Sequence, residues 1–257
     1  MRLSVITDEI DPSLEHALDV CEELDLDAVE LRTLDGKQIV DHSEAELEAV
    51  KAELDRRGLA VCAIASPFLK CDRGEDQDAV LGRTLRAAAA LEAPVVRAFG
   101  YWREPVPAES LLDLGRALRS ATTRAREAGL TLALENEHEC NVATAAEARA
   151  ALAAADASQL GVIWDPGNAA MLDPAAWTGL GGLETIVERV VHVHLKDVSP
   201  AAAWTRIGDG IVDFRAQLSC LRDAGYDGYL SFETHYERDG SGELATRDCV
   251  AALRALT

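Results

Sequence analysis

The sequence predicts an α/β protein, a single (β/α)8 TIM barrel, on three observations. Its 257 residues match the roughly 250 typical of that fold. Eight short β-branched runs alternate with eight helical stretches along the whole chain, the pattern of parallel strands joined by right-handed crossovers. No linker-like or low-complexity segment interrupts it, so residues 1–257 read as one domain. A doubly wound open sheet shares the alternation but fits eight strands less well.

Residues 2–7 form the first strand, and Asp11 with Pro12 reads as an N-cap and first-turn pair opening a helix to about residue 24. Residues 28–32 are the second strand. Ser43 and Glu46 form a capping box for a helix that stops at Gly58. Residues 59–65 are the third strand, broken by Ser66 and Pro67 into a loop, and an Ala-rich helix spans about 76–91. A fourth strand (94–100), a helix (107–128) and a fifth strand (130–135) come next. Thr144 and Glu147 cap another helix, residues 160–165 are the sixth strand, 190–198 the seventh and 228–233 the eighth, closed by a helix to 256.

The formal net charge is −20, with 45 acidic against 25 basic residues. Such a surface repels phosphate backbones, so nucleic acid is not an expected partner. No run reaches the roughly 18 apolar residues of a membrane span, and a strand begins where a signal peptide would stand, so the expected location is cytoplasmic, with no membrane partner. The six cysteines are dispersed without a C-x-x-C pair and read as reduced core thiols.

In a parallel barrel, side chains at the C-terminal ends of the strands point into the mouth where chemistry occurs. Those positions hold Glu30, Arg32, Ser66, Arg97, Glu135, Asp165 with Asn168, His194 with Lys196, and Glu233 with His235. The seventh strand carries His192, His194 and Lys196 at alternate positions, hence on one face of a core strand. Unpaired polar groups there would cost roughly 1–3 kcal/mol each, so this face must meet polar partners, a metal or a substrate.

Glu135, Asp165, His194 and Glu233 are separated by 30, 29 and 39 residues, about one strand-helix unit each, which brings them to one quarter of the rim. Three carboxylates that close raise one another's pKa unless a cation neutralises them. One divalent metal ion is therefore expected, and mixed carboxylate and imidazole ligation suits manganese, magnesium, cobalt or zinc. His192 lies one layer deeper and reads as a hydrogen-bonded support for its neighbours. Arg97 reads as a partner of Glu30 or a substrate contact, and Lys196 as a mouth-facing charge or a salt-bridge partner of Glu233 or Asp165. His42 and His138 read as loop residues without a role.

At these residues the chain resembles the xylose isomerase-like TIM barrel superfamily, in its sugar phosphate isomerase/epimerase group, which includes ketose 3-epimerases, inosose dehydratase and, more distantly, endonuclease IV. The matching pieces are Thr7-Asp8-Glu9, Val29-Glu30-Leu31-Arg32, Leu134-Glu135-Asn136, Trp164-Asp165-Pro166-Gly167-Asn168, His192-Val193-His194-Leu195-Lys196-Asp197, Gly208-Asp209-Gly210 with Asp213-Phe214, and Ser231-Phe232-Glu233. They follow the family's order over nearly the whole chain. The resemblance implies that Glu135, Asp165, His194 and Glu233 hold a single metal. Asn168 stands where ketose 3-epimerases place a substrate-binding histidine, a departure that sets the chain apart from free-ketose epimerases. Arg206 falls near the position of a substrate-binding arginine. Together with Arg97, Ser66 and His235, these form the expected substrate-binding set.

The expected activity is that of a metal-dependent isomerase or epimerase acting on a small carbohydrate or cyclitol by proton abstraction next to a carbonyl, through an enediolate. Glu135 and Glu233 are the expected acid-base pair, each with one oxygen on the metal and the other free. Lys196 makes a dehydratase of a keto-inositol or sugar acid the alternative. A metal-dependent hydrolase or endonuclease needs further histidines and a basic groove, and a non-catalytic binder would not need the full ligand set. A homo-oligomer is compatible with the sequence.

Overall fold

Each β-branched run becomes a strand in the computed structural model, which describes residues 1–256. The strands are β1 (Arg2–Ile6), β2 (Ala28–Leu31), β3 (Ala60–Ile64), β4 (Val95–Ala98), β5 (Thr131–Glu135), β6 (Gly161–Trp164), β7 (Val190–Leu195) and β8 (Tyr229–Phe232). All neighbours are parallel. The sheet closes in the order β1-β8-β7-β6-β5-β4-β3-β2, with β2 returning to β1. Closure leaves no sheet edge, which excludes the open doubly wound alternative. Thr257, the last residue of the expected domain, lies outside the described residues.

The helices are α1 (Leu14–Glu23), α2 (Glu44–Arg57), α3 (Asp78–Ala90), α4 (Leu111–Glu127), α5 (Ala145–Ala155), α6 (Pro166–Leu172), α7 (Phe214–Asp223) and α8 (Gly242–Leu256). Both expected capping boxes form, and Gly58 ends α2 at φ 72°, a left-handed conformation that glycine adopts without steric cost. α1 starts later than expected. Ser13 is its N-cap, and Asp11 Oδ1 instead accepts a bond from the Ser13 N–H at 2.8 Å, shaping the turn before the helix. The helix expected from residue 107 opens as a 3-10 turn, Pro107–Ser110.

The seventh strand also ends early. Asp197–Val198 leaves the barrel and pairs antiparallel with Trp204–Thr205. The cause is the Asp197 carboxylate, which accepts bonds from the backbone N–H groups of Val198, Gly208, Gly210 and Val212 at 2.8 to 3.2 Å. It ties the ribbon to the following loop and turns the chain across the mouth.

Apolar side chains fill the layer between strands and helices, while the floor of the barrel is small and apolar, including Ala28, Cys62, Ala63, Ala133 and Ile163. Above that floor the inward positions are buried and polar, among them Glu30, Arg97, Glu135, His192 and His194. One bulge on β7 makes Val191 the extra residue opposite β6, just before the histidines. Bulges sharpen local twist and re-aim side chains. Gly161 faces this bulge, and a Cβ there would lie 2.6 Å from Val191 Cγ2. Among the described residues no helix is long and apolar enough to cross a membrane.

Candidate metal centre and active site

Glu135 ends β5, Asp165 and Glu233 directly follow β6 and β8, and His194 lies on β7. All four are buried, and one ligand atom from each lies within 4.8 Å of the others. Asp165 is clamped by Asn136, whose Oδ1 accepts from the Asp165 N–H at 2.8 Å and whose Nδ2 donates to the Asp165 carbonyl at 2.7 Å. Asp165 Oδ1 accepts from the Asn168 N–H at 2.9 Å, capping α6. That leaves Oδ2 for the cluster.

Asp165 Oδ2 and Glu233 Oε2 are buried oxygens on which no hydrogen-bond donor is aligned. Lys196 Nζ approaches them to 3.1 and 2.7 Å, ion-pair distances at angles that make no directional hydrogen bond. Buried oxygens in that condition are what a bound cation satisfies. Three carboxylates and one imidazole are a donor set suited to a single divalent ion.

The second oxygens of the two glutamates are not free, contrary to expectation. Arg97 Nη1 donates to Glu135 Oε2 at 3.1 Å, and Arg32 Nη1 donates to Glu233 Oε1 at 2.9 Å. Four buried carboxylates share the barrel interior, counting Glu30, so internal cations are required to offset their desolvation. Each arginine-held oxygen keeps a second lone pair and can still accept a proton, with lowered basicity. Burial would raise the Glu233 carboxyl, but the charges of Lys196 and His194 hold it well below the usual range. At Asp165, burial and then the charges of Glu135 and Glu233 outweigh Lys196 and push the carboxyl up to about 6.

His194 links the cluster to a deeper layer. Its Nδ1 lies 2.8 Å from Glu135 Oε1 and 3.1 Å from Glu233 Oε2, while its Nε2 lies 3.1 Å from Glu30 Oε2. His192 Nε2 meets the same Glu30 oxygen at 2.8 Å. Burial would raise the Glu30 carboxyl, yet the two imidazoles hold it well below the usual range. Burial would lower the His194 imidazolium, yet Glu30, Glu135 and Glu233 raise it well above the usual range, so both ring nitrogens carry protons here. A bound metal would take the place of the Nδ1 proton and leave Nε2–H donating to Glu30, the arrangement that orients metal-binding histidines. Glu30 is thereby taken by histidines, which is why Arg97 pairs with Glu135 and not with Glu30.

At the rim, Arg32 also holds Asp8 Oδ2 at 2.9 Å and Glu9 Oε1 at 2.6 Å. Glu9 accepts further bonds from the His235 N–H at 2.8 Å and from His235 Nδ1 at 3.0 Å. Burial would raise the Glu9 carboxyl, but His235 and Arg32 lower it from 4.5 to about 2. A carboxylate lowered in the fold stabilises it fully above the unfolded pKa and loses that contribution as pH falls through the folded one. The Glu9 contribution is thus complete above pH 4.5 and lost as pH falls to about 2, an effect of roughly 3 kcal/mol. Glu9→Gln is expected to flatten the acid limb of stability measured by urea unfolding across that window. An unchanged slope would remove this account.

Trp204, on the ribbon after β7, stands edge-on to both His138 and His235, with ring centroids 5.6 Å apart in each case. His138, expected to be idle, bonds Asn168 Oδ1 through Nδ1 at 3.1 Å and pairs with Glu137 at 2.6 Å. Asn168 is fully buried, and its Nδ2 donates to the Asn136 carbonyl at 3.0 Å and reaches Glu135 Oε1 at 3.5 Å. Two expected substrate contacts are engaged elsewhere. Ser66 Oγ bonds Thr84 Oγ1 on α3 at 2.9 Å, and Arg206 pairs with Asp209 in its own turn at 3.1 Å. Besides His138, sequence reasoning also left Glu9, Asn136 and Trp204 without a role; the Thr7-Asp8-Glu9 and Glu135-Asn136 runs carried the first two.

A model of the xylose isomerase-like TIM barrel family matches residues 18–256. Inosose dehydratase of Lacticaseibacillus casei is 22% identical over 245 residues, spanning 82% of this chain and 81% of that relative. Among solved structures, the IOLI protein with a binding zinc atom aligns over 100% of this chain and 98% of its own, with a TM-score of 0.82 at 19% identity. A xylose isomerase domain protein from Alicyclobacillus acidocaldarius aligns over the same shares with a TM-score of 0.77 at 25% identity. With the match running from α1 through α8 of a closed eight-stranded barrel, the chain belongs to the xylose isomerase-like TIM barrel family.

Proposed function

We propose that this protein is a divalent-metal-dependent enzyme that moves a proton next to the carbonyl of a small sugar or cyclitol, giving an epimer or isomer. One observation carries the reading: four buried side chains with ligand atoms within 4.8 Å of one another at the barrel mouth, two of whose oxygens have no aligned donor. A cation held by Glu135, Asp165, His194 and Glu233 would act as a Lewis acid toward adjacent carbonyl and hydroxyl oxygens. Glu135 and Glu233 come from strands separated by β6 and β7, so they flank the site and can remove and return a proton on different faces. Arg97 and Arg32 orient them, and Asn168 and His235 border the site as polar contacts for hydroxyl groups.

A second reading, dehydration of a keto-inositol or sugar acid, is favoured by Lys196, a buried ammonium beside Asp165 and Glu233 that can protonate a departing hydroxyl. The inosose dehydratase relatives support the same reading. The test is metal analysis of the purified protein followed by incubation with ketoses, keto-inositols and sugar acids in deuterated water. Metal-dependent deuterium at a carbon beside the carbonyl is expected, with water loss marking the dehydratase. A metal-replete protein that exchanges no proton on the whole panel would overturn both readings.

A further inference from the structure

Lys196 occupies an unusual place. It is fully buried, and its Nζ has no aligned hydrogen-bond acceptor. It lies 2.7 Å from Glu233 Oε2 and 3.1 Å from Asp165 Oδ2, the two cluster oxygens that also lack aligned donors. A metal ion takes carboxylate oxygens at about 2.0–2.2 Å. Two cations cannot both sit that close to one pair of oxygens in a buried site, because their mutual repulsion is poorly screened there.

We propose that Lys196 is the built-in counter-ion of the metal-free cluster, and that metal and ammonium exclude each other on Asp165 and Glu233. The proposal rests on the reading of the four-residue cluster as a metal site. Residue 196 is packed closely against Gly167, where an added Cβ would lie 2.5 Å from Lys196 Cβ, so its backbone has no room to shift toward α6. Release is therefore a rotation of the side chain. A second resting place is at hand: Nζ lies 5.3 Å from the Trp204 ring centroid, and the buried Glu137 carboxylate also attracts it. Loading the cluster then delivers the ammonium toward the mouth, so Lys196 serves as an acid or an anion partner only when the metal is in place.

The chain has four lysines, Lys37, Lys51, Lys70 and Lys196. Lysine side-chain carbon resonances can therefore be followed one by one in protein labelled at lysine Cε. Adding Zn2+ to the metal-free protein is expected to shift one of the four resonances strongly, the one missing from Lys196→Met. By calorimetric titration with chelator competition, Lys196→Met is expected to bind Zn2+ at least about tenfold more tightly than the parent, while its metal-free form melts at lower temperature. Zn2+ binding that leaves all four lysine signals in place, or equal affinity in parent and variant, overturns the proposal alone. Failure of the parent to bind Zn2+, Mn2+ or Mg2+ removes the metal reading and the proposal with it. If Lys196→Met does not fold, arginine replacements of the partly exposed Lys37, Lys51 and Lys70 assign their three signals in turn and leave the fourth to Lys196.

Discussion

Glu233→Gln is expected to lower turnover by roughly 10²- to 10⁴-fold, the range typical of a lost general acid or base. The substitution keeps the size of the side chain and an oxygen for Arg32, so the rim cluster with Asp8 and Glu9 can persist. It removes the charge that faces Lys196 Nζ at 2.7 Å and His194 Nδ1 at 3.1 Å. The amide nitrogen that then occupies one position is a donor and cannot serve as a metal ligand or accept a proton. Turnover on the substrate found by deuterium exchange, measured together with bound metal per protein, separates the two roles. Full metal with collapsed turnover assigns Glu233 to proton transfer, and joint loss assigns it to metal holding. Unimpaired turnover would exclude it from the chemistry.

The four-residue cluster could be read from sequence because each member closes or follows one repeat of the same strand-helix unit, and the repeat itself sets height and azimuth around the barrel. His194 and Glu30 follow from alternation along their strands, which sends them inward. Residues two or more positions past a barrel strand were harder to place. Ser66 leaves β3 into a turn that aims its hydroxyl at Thr84, and Arg206 sits in a loop folded by Asp197, so neither direction follows from strand periodicity. Trp204 was invisible for the same reason: it reaches the mouth only because four backbone N–H groups gathered on Asp197 end β7 early.

The pairing of buried charges is the other quantity that spacing does not give. Arg97 could meet Glu30 or Glu135, and the choice depends on both histidines closing on Glu30, a three-body arrangement that no pairwise sequence rule contains. The distinction matters chemically. An arginine on Glu135 tempers a proposed base, whereas one on Glu30 would weaken the orientation of His194.

That choice makes Arg97→Met the substitution with the largest expected cost in stability. Arg97 is buried, donates from Nη1 to Glu135 Oε2, and closes the start of the β3 exit loop by donating from Nη2 to the Ala65 carbonyl at 3.0 Å and from Nε to the Ser66 carbonyl at 3.2 Å. Its guanidinium also stacks 4.5 Å from the centroid of Phe99. Methionine preserves much of the stem and the ring contact but leaves a buried carboxylate without its cation. Breaking a buried pair on one side costs about 3–5 kcal/mol. In a domain of this size that corresponds to a melting temperature lower by roughly 6–20 °C. Glu135→Gln in the same background neutralises the abandoned charge and should restore part of the loss, so the double variant is expected to melt above Arg97→Met alone. If instead the two substitutions simply add, Arg97 stabilises the barrel through the loop carbonyls and Phe99, and Glu135 is carried by His194 without its help.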